Sequence, residues 1–266
     1  MPTNPPHLRP PQAPIPEYLR YYARRKQRLG EPVFCFQVGA NDGHTNDPVH
    51  PYFTRFGWSG LLVEPLVDVF ENELKKTYAG NPRVRMKNVA LAQAQGELPL
   101  YRVAISESRW ATGLSGFRRE NIQSHIDNGH IQRRAREEGI VVPDDPNQII
   151  ETVQVAVVTV EHQLAKHAVT HFDVLCIDTE GFDFEILKLV DFARFKPEVV
   201  LFESKNLSDA DYAQAKAMLG EHGYFLYWDR GDTLGTKIKL PQIERAKALV
   251  RIPLRAVRDR VRAIAR

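Results

Sequence analysis

The chain has 266 residues, 43% of them hydrophobic, with a formal net charge of +3, 18 prolines and two cysteines. That length fits one large domain with appendages, and the apolar content supplies one substantial core. No run approaches eighteen consecutive apolar residues, so no membrane-spanning helix is expected.

Residues 1–16 hold seven of the prolines and no apolar h-region, which predicts an extended or disordered start and no ordinary secretory signal. A cytoplasmic protein is the default. Pro16 then begins an amphipathic helix, Glu17 to Leu29, closed by Gly30. A catalytic domain is expected over 17–240. Val33 to Val38 reads as its first strand. Asp47 caps a helix with Pro48 at its first position and Gly57 at its end, and Gly60 to Glu64 is the second strand. Asp68 to Tyr78 is helical, Val84 to Leu91 is a third strand, and Leu98 to Ile105 is a fourth with an edge or support role.

The interval 106–146 is rich in charge and histidine and reads as a helical insert, with Phe117 to Asp127 and Ile131 to Glu138 separated by Gly129. A solvent-facing appendage and an active-site cover are both open. Further strands follow at Phe172 to Asp178, Val199 to Glu203 and Tyr224 to Trp228, separated by helices over Asp183 to Phe192 and Asp209 to Gly220. This alternation predicts an α/β fold: a doubly wound, mainly parallel sheet with helices on both faces. Cys35 and Cys176 both fall in buried strands and read as small core residues, not as a disulfide or a reactive thiol.

From Pro241 to Arg266, eight Lys and Arg stand against Glu244 and Asp259, a local balance of +6 that leaves −3 elsewhere. The body is mildly acidic, and nucleic-acid binding by it is not expected. Within the tail, Leu254, Val257, Val261 and Ile264 recur at helical spacing among arginines, and Pro253 separates them from an Ile243 to Arg251 helix. Such a basic amphipathic helix suits the inner surface of an anionic membrane, or docks on its own domain or on a second copy of the chain.

Two acidic stretches carry the chemistry: Val38-Gly39-Ala40-Asn41-Asp42-Gly43 and Ile177-Asp178-Thr179-Glu180-Gly181. Each follows an apolar run of strand character, which places both at carboxyl strand ends, where open α/β sheets bind ligands. Glu64 ends the second strand, the position from which an acid accepts hydrogen bonds from ribose hydroxyls. Asn41 stands where a dinucleotide fingerprint has its middle glycine, and Asp42 adds negative charge that opposes a pyrophosphate. S-adenosylmethionine has no phosphate and is cationic at sulfur and nitrogen, so the charge pattern favours it over NAD. Asp178 and Glu180 are candidates to take a proton from a hydroxyl acceptor, and His44, beside the glycine turn, is a second candidate. Glu203 at the next strand end orients a substrate hydroxyl or pairs with Lys205. Arg109 and Trp110 can grip a sugar ring or simply pack a loop. His44, Asp47 and His50 have metal-like spacing, but prolines at 48 and 51 and the capping role of Asp47 argue against a site, so no metal is assigned. Asp178 with Glu180 leaves open a divalent cation that acidifies a vicinal diol.

With Val63-Glu64-Pro65, Asn88-Val89-Ala90-Leu91, Ile177-Asp178-Thr179-Glu180-Gly181-Phe182 and Phe202-Glu203 following the glycine turn in order, the chain resembles the FkbM family of S-adenosylmethionine-dependent methyltransferases. The resemblance covers roughly residues 33–228. It implies a class I methyltransferase fold and O-methylation of a sugar, glycan or natural-product hydroxyl. It also implies that Gly39 and Gly43 line the methionine end of the cofactor, with Ala40, Asn41 and Asp42 in the same turn, that Glu64 binds ribose, and that Asn88, Val89 and Ala90 lie beside adenine. A nicotinamide-dependent oxidoreductase and a catalytically silent scaffold with the same fold remain as alternatives.

Overall fold

The computed structural model describes residues 9–239. The basic helices expected over 241–266 and the first eight residues lie outside that range. Of the start expected to be extended or disordered, Gln12 forms a parallel bridge with Trp228. Ala13 N–H donates to the Trp228 carbonyl at 3.2 Å, Trp228 N–H donates to Pro11 at 3.1 Å, and Arg9 lies over the Trp228 ring.

Helix α1 (Ile15–Leu29) leads into β1 (Phe34–Val38), α2 (His50–Arg55) and β2 (Ser59–Val63). Next comes one helical stretch made of α3 (Val67–Val69), a π turn (Phe70–Leu74) and α4 (Lys75–Thr77), followed by β3 (Val84–Lys87), β4 (Ala90–Leu91) and β5 (Gly96–Val103). The insert supplies α5 (Arg109–Thr112), α6 (Arg119–Asp127), α7 (His130–Glu137) and α8 (Pro146–Ile149) before β6 (Ile150–Val158) and α9 (Val160–Lys166). The chain continues through β7 (Val174–Ile177), α10 (Asp183–Leu189), α11 (Phe192–Phe195), β8 (Val199–Glu203), α12 (Asp209–Glu221), β9 (Phe225–Asp229) and β10 (Asp232–Thr236).

Seven strands form the main sheet in the order β3-β2-β1-β7-β8-β10-β9, all parallel except β10, which runs antiparallel to both neighbours. The pleat sends alternate residues to opposite faces. Cys35, Leu62, Val174 and Leu201 pack with α1 residues Tyr18, Leu19 and Tyr22 on one side. Phe36, Leu61, Leu175 and Phe202 pack with Phe184, Leu187 and Tyr212 of α10 and α12 on the other. This is the expected doubly wound α/β architecture, a mainly parallel sheet with helices on both faces. Among the described residues no helix is long and apolar enough to cross a membrane.

Several elements differ from the sequence reading. The strand expected over 84–91 is split: Asn88 turns the chain by donating from Nδ2 to the Glu64 and Pro65 carbonyls, both at 2.9 Å, so β3 stays in the main sheet while β4 leaves it. β4 joins a second sheet of order β4-β6-β5, in which β6 is a strand the sequence reading lacked. The helix expected over 47–57 is shorter, because Asp47 Oδ1 accepts the Val49 and His50 amides in a turn and helix begins only at His50. β10 was also not anticipated; it returns from β9 through Arg230 and Gly231, both at positive φ, the twist a tight hairpin needs. The insert has its own small core around Ala111, Ile122, Ile131 and Ile149, together with Val103 and Ile150 of the strands that flank it.

Candidate active site

The carboxyl ends of β1, β2, β7 and β8 meet in one crevice. Gly39 and Ala40 donate their amides to the Val63 carbonyl at 3.1 Å, which folds the turn back over β2. Gly39 has φ 78°, and a Cβ there would overlap the Asp178 carbonyl oxygen, so only glycine lets the ends of β1 and β7 pass this closely. Gly43 serves packing instead: a Cβ would strike Leu74 and Tyr78, and the residue does not line the cavity.

A cavity opens between these strand ends and the insert. Val38, Val63, Pro65, Val89, Leu91 and Ile186 make an apolar slot, and Asn41, Glu64, Asp178 and Glu180 supply polar groups. The insert closes the far wall with Thr112, Ser115, Gly116 and Phe117. Gly116 is held there by paired backbone bonds to Tyr101 at 2.9 and 3.0 Å, and Phe117 packs on Phe182 with ring centroids 5.1 Å apart. The beginning of the insert is therefore part of the cavity wall.

Glu64 is only 4% exposed. Its Oε2 accepts the Asn41 amide at 2.8 Å and its Oε1 the Leu66 amide at 2.9 Å, which fixes the side chain and leaves each oxygen a second lone pair. Burial pushes its carboxyl up to about 7. Asn41 sits at φ 45°, with Oδ1 accepting from the Asp42 amide and from the Thr112 hydroxyl at 3.4 Å. Val89 and Ala90 line the cavity, whereas Asn88 does not, because its amide is spent on the turn that splits the strand.

Other expected residues, Glu203 among them, also lie apart from this cavity. Asp42 caps its own loop by accepting the His44 and Thr45 amides, with Arg109 Nε 3.7 Å away. His44 is exposed, packs edge-on against His50 at 4.9 Å, and lines neither this cavity nor the one beyond it. Its candidacy for proton transfer is not supported by its position. Trp110 packs against the insert's own core, so of the expected sugar-gripping pair only Arg109 reaches the crevice. Ala40 lines the second cavity, on the other side of Asp178.

Asp178, Glu180 and Glu203 converge, each offering an oxygen within 4.8 Å of the others. Asp178 keeps accessible surface, but that surface faces the crevice and protein surrounds it, so its carboxyl is raised by desolvation. Glu180 sits at φ 50°; its carbonyl accepts from Asn121 of the insert, and its Oε2 accepts from Asn206 Nδ2 at 2.8 Å. The same amide donates to Glu203 Oε2 at 2.7 Å, and Lys205 pairs with Glu203 Oε1. Glu203, 6% exposed, is pushed up to about 7 by burial and then by Asp178. Glu180 is raised well above the usual carboxylate range by burial, then by Glu203 and Asp178. So many acids around one ammonium cannot all ionise near neutral pH, and the set holds shared protons. Such a group can accept a proton from a hydroxyl placed against it. It also has the oxygens a divalent cation requires, although Lys205 and Asn206 already occupy part of its inner side. The His44, Asp47 and His50 set is not arranged as ligands: Asp47 Oδ2 accepts from Gln37 Nε2, and His50 Nδ1 lies 3.3 Å from the Tyr78 hydroxyl.

Two further acids, Asp183 buried and Asp232 half-buried, belong to this network without having been singled out from the sequence. Asp183 has no exposed surface; its Oδ2 accepts the Thr179 hydroxyl and the Gly181 amide, and its Oδ1 the Glu203 amide. It ties the turn after β7 to the end of β8. In sequence it reads only as a first-turn helix acid. Asp232 at the start of β10 lies opposite Glu203, and burial followed by Glu203 pushes its carboxyl up to about 8. No motif marks it.

Comparison with known proteins gives the family. The Methyltransferase FkbM domain matches residues 37–226. The chain belongs to the FkbM methyltransferase family. The matched span runs from β1 into β9 and contains the whole wall of the first cavity, but not Asp232. No curated protein sequence matches. Among solved structures, the FkbM methyltransferase from Methylobacillus flagellatus KT aligns with TM-score 0.44 and 11% identity, over 77% of this chain and 43% of that one. The chain thus spans less than half the length of that FkbM protein. The N-terminal domain of human METTL16, in complex with SAH, aligns with TM-score 0.38 and 11% identity over 86% and 72% of the two chains. Precorrin-6y C5,15-methyltransferase from Geobacter metallireducens GS-15 gives TM-score 0.36 and 12% identity over 82% and 85%.

Proposed function

We propose that this FkbM-family chain is an S-adenosylmethionine-dependent O-methyltransferase acting on a hydroxyl of a sugar, glycan or natural-product acceptor. One observation carries the reading: the first cavity joins an apolar slot to a wall of carboxylates, Glu64, Asp178 and Glu180, with Arg109 as its cation. A pyrophosphate would meet these acids at close range, whereas a cationic, phosphate-free donor is favoured by them. Glu64 would hold the ribose through its free lone pairs, and Val63, Pro65, Val89 and Leu91 would enclose the base. When bound, the cofactor supplies an electrophilic methyl group. The chain's own contribution is to orient the acceptor hydroxyl against Asp178, Glu180 and Glu203 and to take its proton on a carboxylate held by Asn206. Phe117 and its insert neighbours exclude water from the cavity.

Calorimetric titration tests the donor: adenosylhomocysteine should bind, NADH should not, and Glu64→Gln should weaken adenosylhomocysteine at least tenfold. Binding of NADH alone would replace the reading with an oxidoreductase.

A further inference from the structure

Resting on the methyltransferase reading, we propose that the acceptor enters from the face opposite the donor, through a groove beside α1, and that a hydroxyl-rich ring of it occupies the second cavity. That cavity shares Gly39, Arg109 and Asp178 with the first, so these three residues form the partition between them. It shares Asn46, Asp47, Pro48 and Asp232 with a wide surface groove flanked by Arg20 of α1, Arg55 of α2 and Arg230. The three spaces adjoin in series, and the carboxylate group stands at the middle one.

Acids dominate the polar wall of the second cavity: Asp178, Glu203 and Asp232 line it, and Arg109 is its one cationic side chain. Gln37 in its wall is 4% exposed and is held by its Nε2, which donates to Asp47 Oδ2 at 3.1 Å. Carboxyls that share protons can both accept and donate, which matches the hydroxyls of a sugar ring and not an aromatic or aliphatic acceptor. A hydroxyl seated here lies beside Asp178, at the boundary with the donor cavity. The groove leaves room for the rest of a larger acceptor outside.

The test uses saturation-transfer NMR on the full chain, with methyl glycosides of a neutral hexose, a deoxyhexose and an amino sugar as probes and adenosylhomocysteine present. Thr45 is exposed, lines only the second cavity, and contributes to its loop through a backbone amide, so Thr45→Trp fills the cavity without removing that bond. We expect at least one glycoside to bind, Thr45→Trp to weaken it more than tenfold, and adenosylhomocysteine affinity to stay within twofold. Asp232→Ala, which adds no bulk, should weaken the same glycoside at least threefold if Thr45→Trp fails to fold. A glycoside signal unchanged by the variant that folds, or no signal from any glycoside, overturns the proposal. So does loss of adenosylhomocysteine binding on blocking the second cavity, which would assign that space to the donor. Failure of adenosylhomocysteine to bind the unaltered chain instead overturns the donor reading, and glycoside binding still reports on the cavity.

Discussion

Asp183 offers the sharpest test of how the carboxylate group is held. It accepts three hydrogen bonds, from the Thr179 hydroxyl at 3.0 Å, the Gly181 amide at 3.2 Å and the Glu203 amide at 3.1 Å. Asp183→Asn keeps one oxygen for Thr179 and Gly181 and places its amide nitrogen toward the Glu203 amide; Asp183→Ala keeps no acceptor. Both remove the same charge, so relief of repulsion from Glu203 and Asp178 cancels between them. The difference is two buried donors without partners, at about 1–3 kcal/mol each, so the Ala variant should be less stable than the Asn variant by about 2–6 kcal/mol. At this chain length each kcal/mol moves the melting point by roughly 2–4 °C, which predicts a separation of at least about 4 °C. Urea unfolding at neutral pH, with equal m-values, measures it. If the two variants unfold within about 0.5 kcal/mol of each other, well under one unpaired donor, Asp183 does not hold the turn as argued.

Stability should fall as pH rises. Glu64 and Glu203 are pushed up to about 7 and Asp232 to about 8, chiefly by burial, while an unfolded chain releases these protons near pH ~4. The folded state therefore binds more protons between about pH 4 and 8, and its advantage is lost across that window. Urea midpoints measured from pH 5 to 9 should decline, more steeply in Lys205→Met, which removes the ammonium paired with Glu203; a rising midpoint contradicts the burial argument. Glycine substitutions separate conformation from contact. Gly80, at φ 76° with nothing near a Cβ, should tolerate alanine at a cost of about 1–2 kcal/mol. Gly39→Ala, at nearly the same φ but against the Asp178 carbonyl, should yield little folded protein, and equal melting points for the two would refute the close-approach argument.

What the sequence by itself determined is local. Apolar runs ending in Gly39, Glu64, Asp178 and Glu203 mark strand ends, because a buried parallel strand must be apolar throughout and its ligand edge must not be. The order of those runs, with helices between, was enough for the doubly wound sheet and for the family. The signal failed where partners are distant. Asn88 reads as part of a strand until the carbonyls of Glu64 and Pro65 are in place to receive its amide. The alternation in β6 faces a small sheet whose other strands come from residues 90–103, and the Arg-Gly hairpin before β10 lacks the usual Asn or Asp signal.

Tertiary structure alone decided the site's composition. It brought Asp183 and Asp232 to Glu203, set Thr112 of the insert against Asn41 of the glycine turn and Phe117 against Phe182, and drew Trp110 and His44 away. The physical reason is that a carboxylate's chemistry depends on what desolvates it and which charges surround it, and those neighbours come from strand ends far apart in the chain.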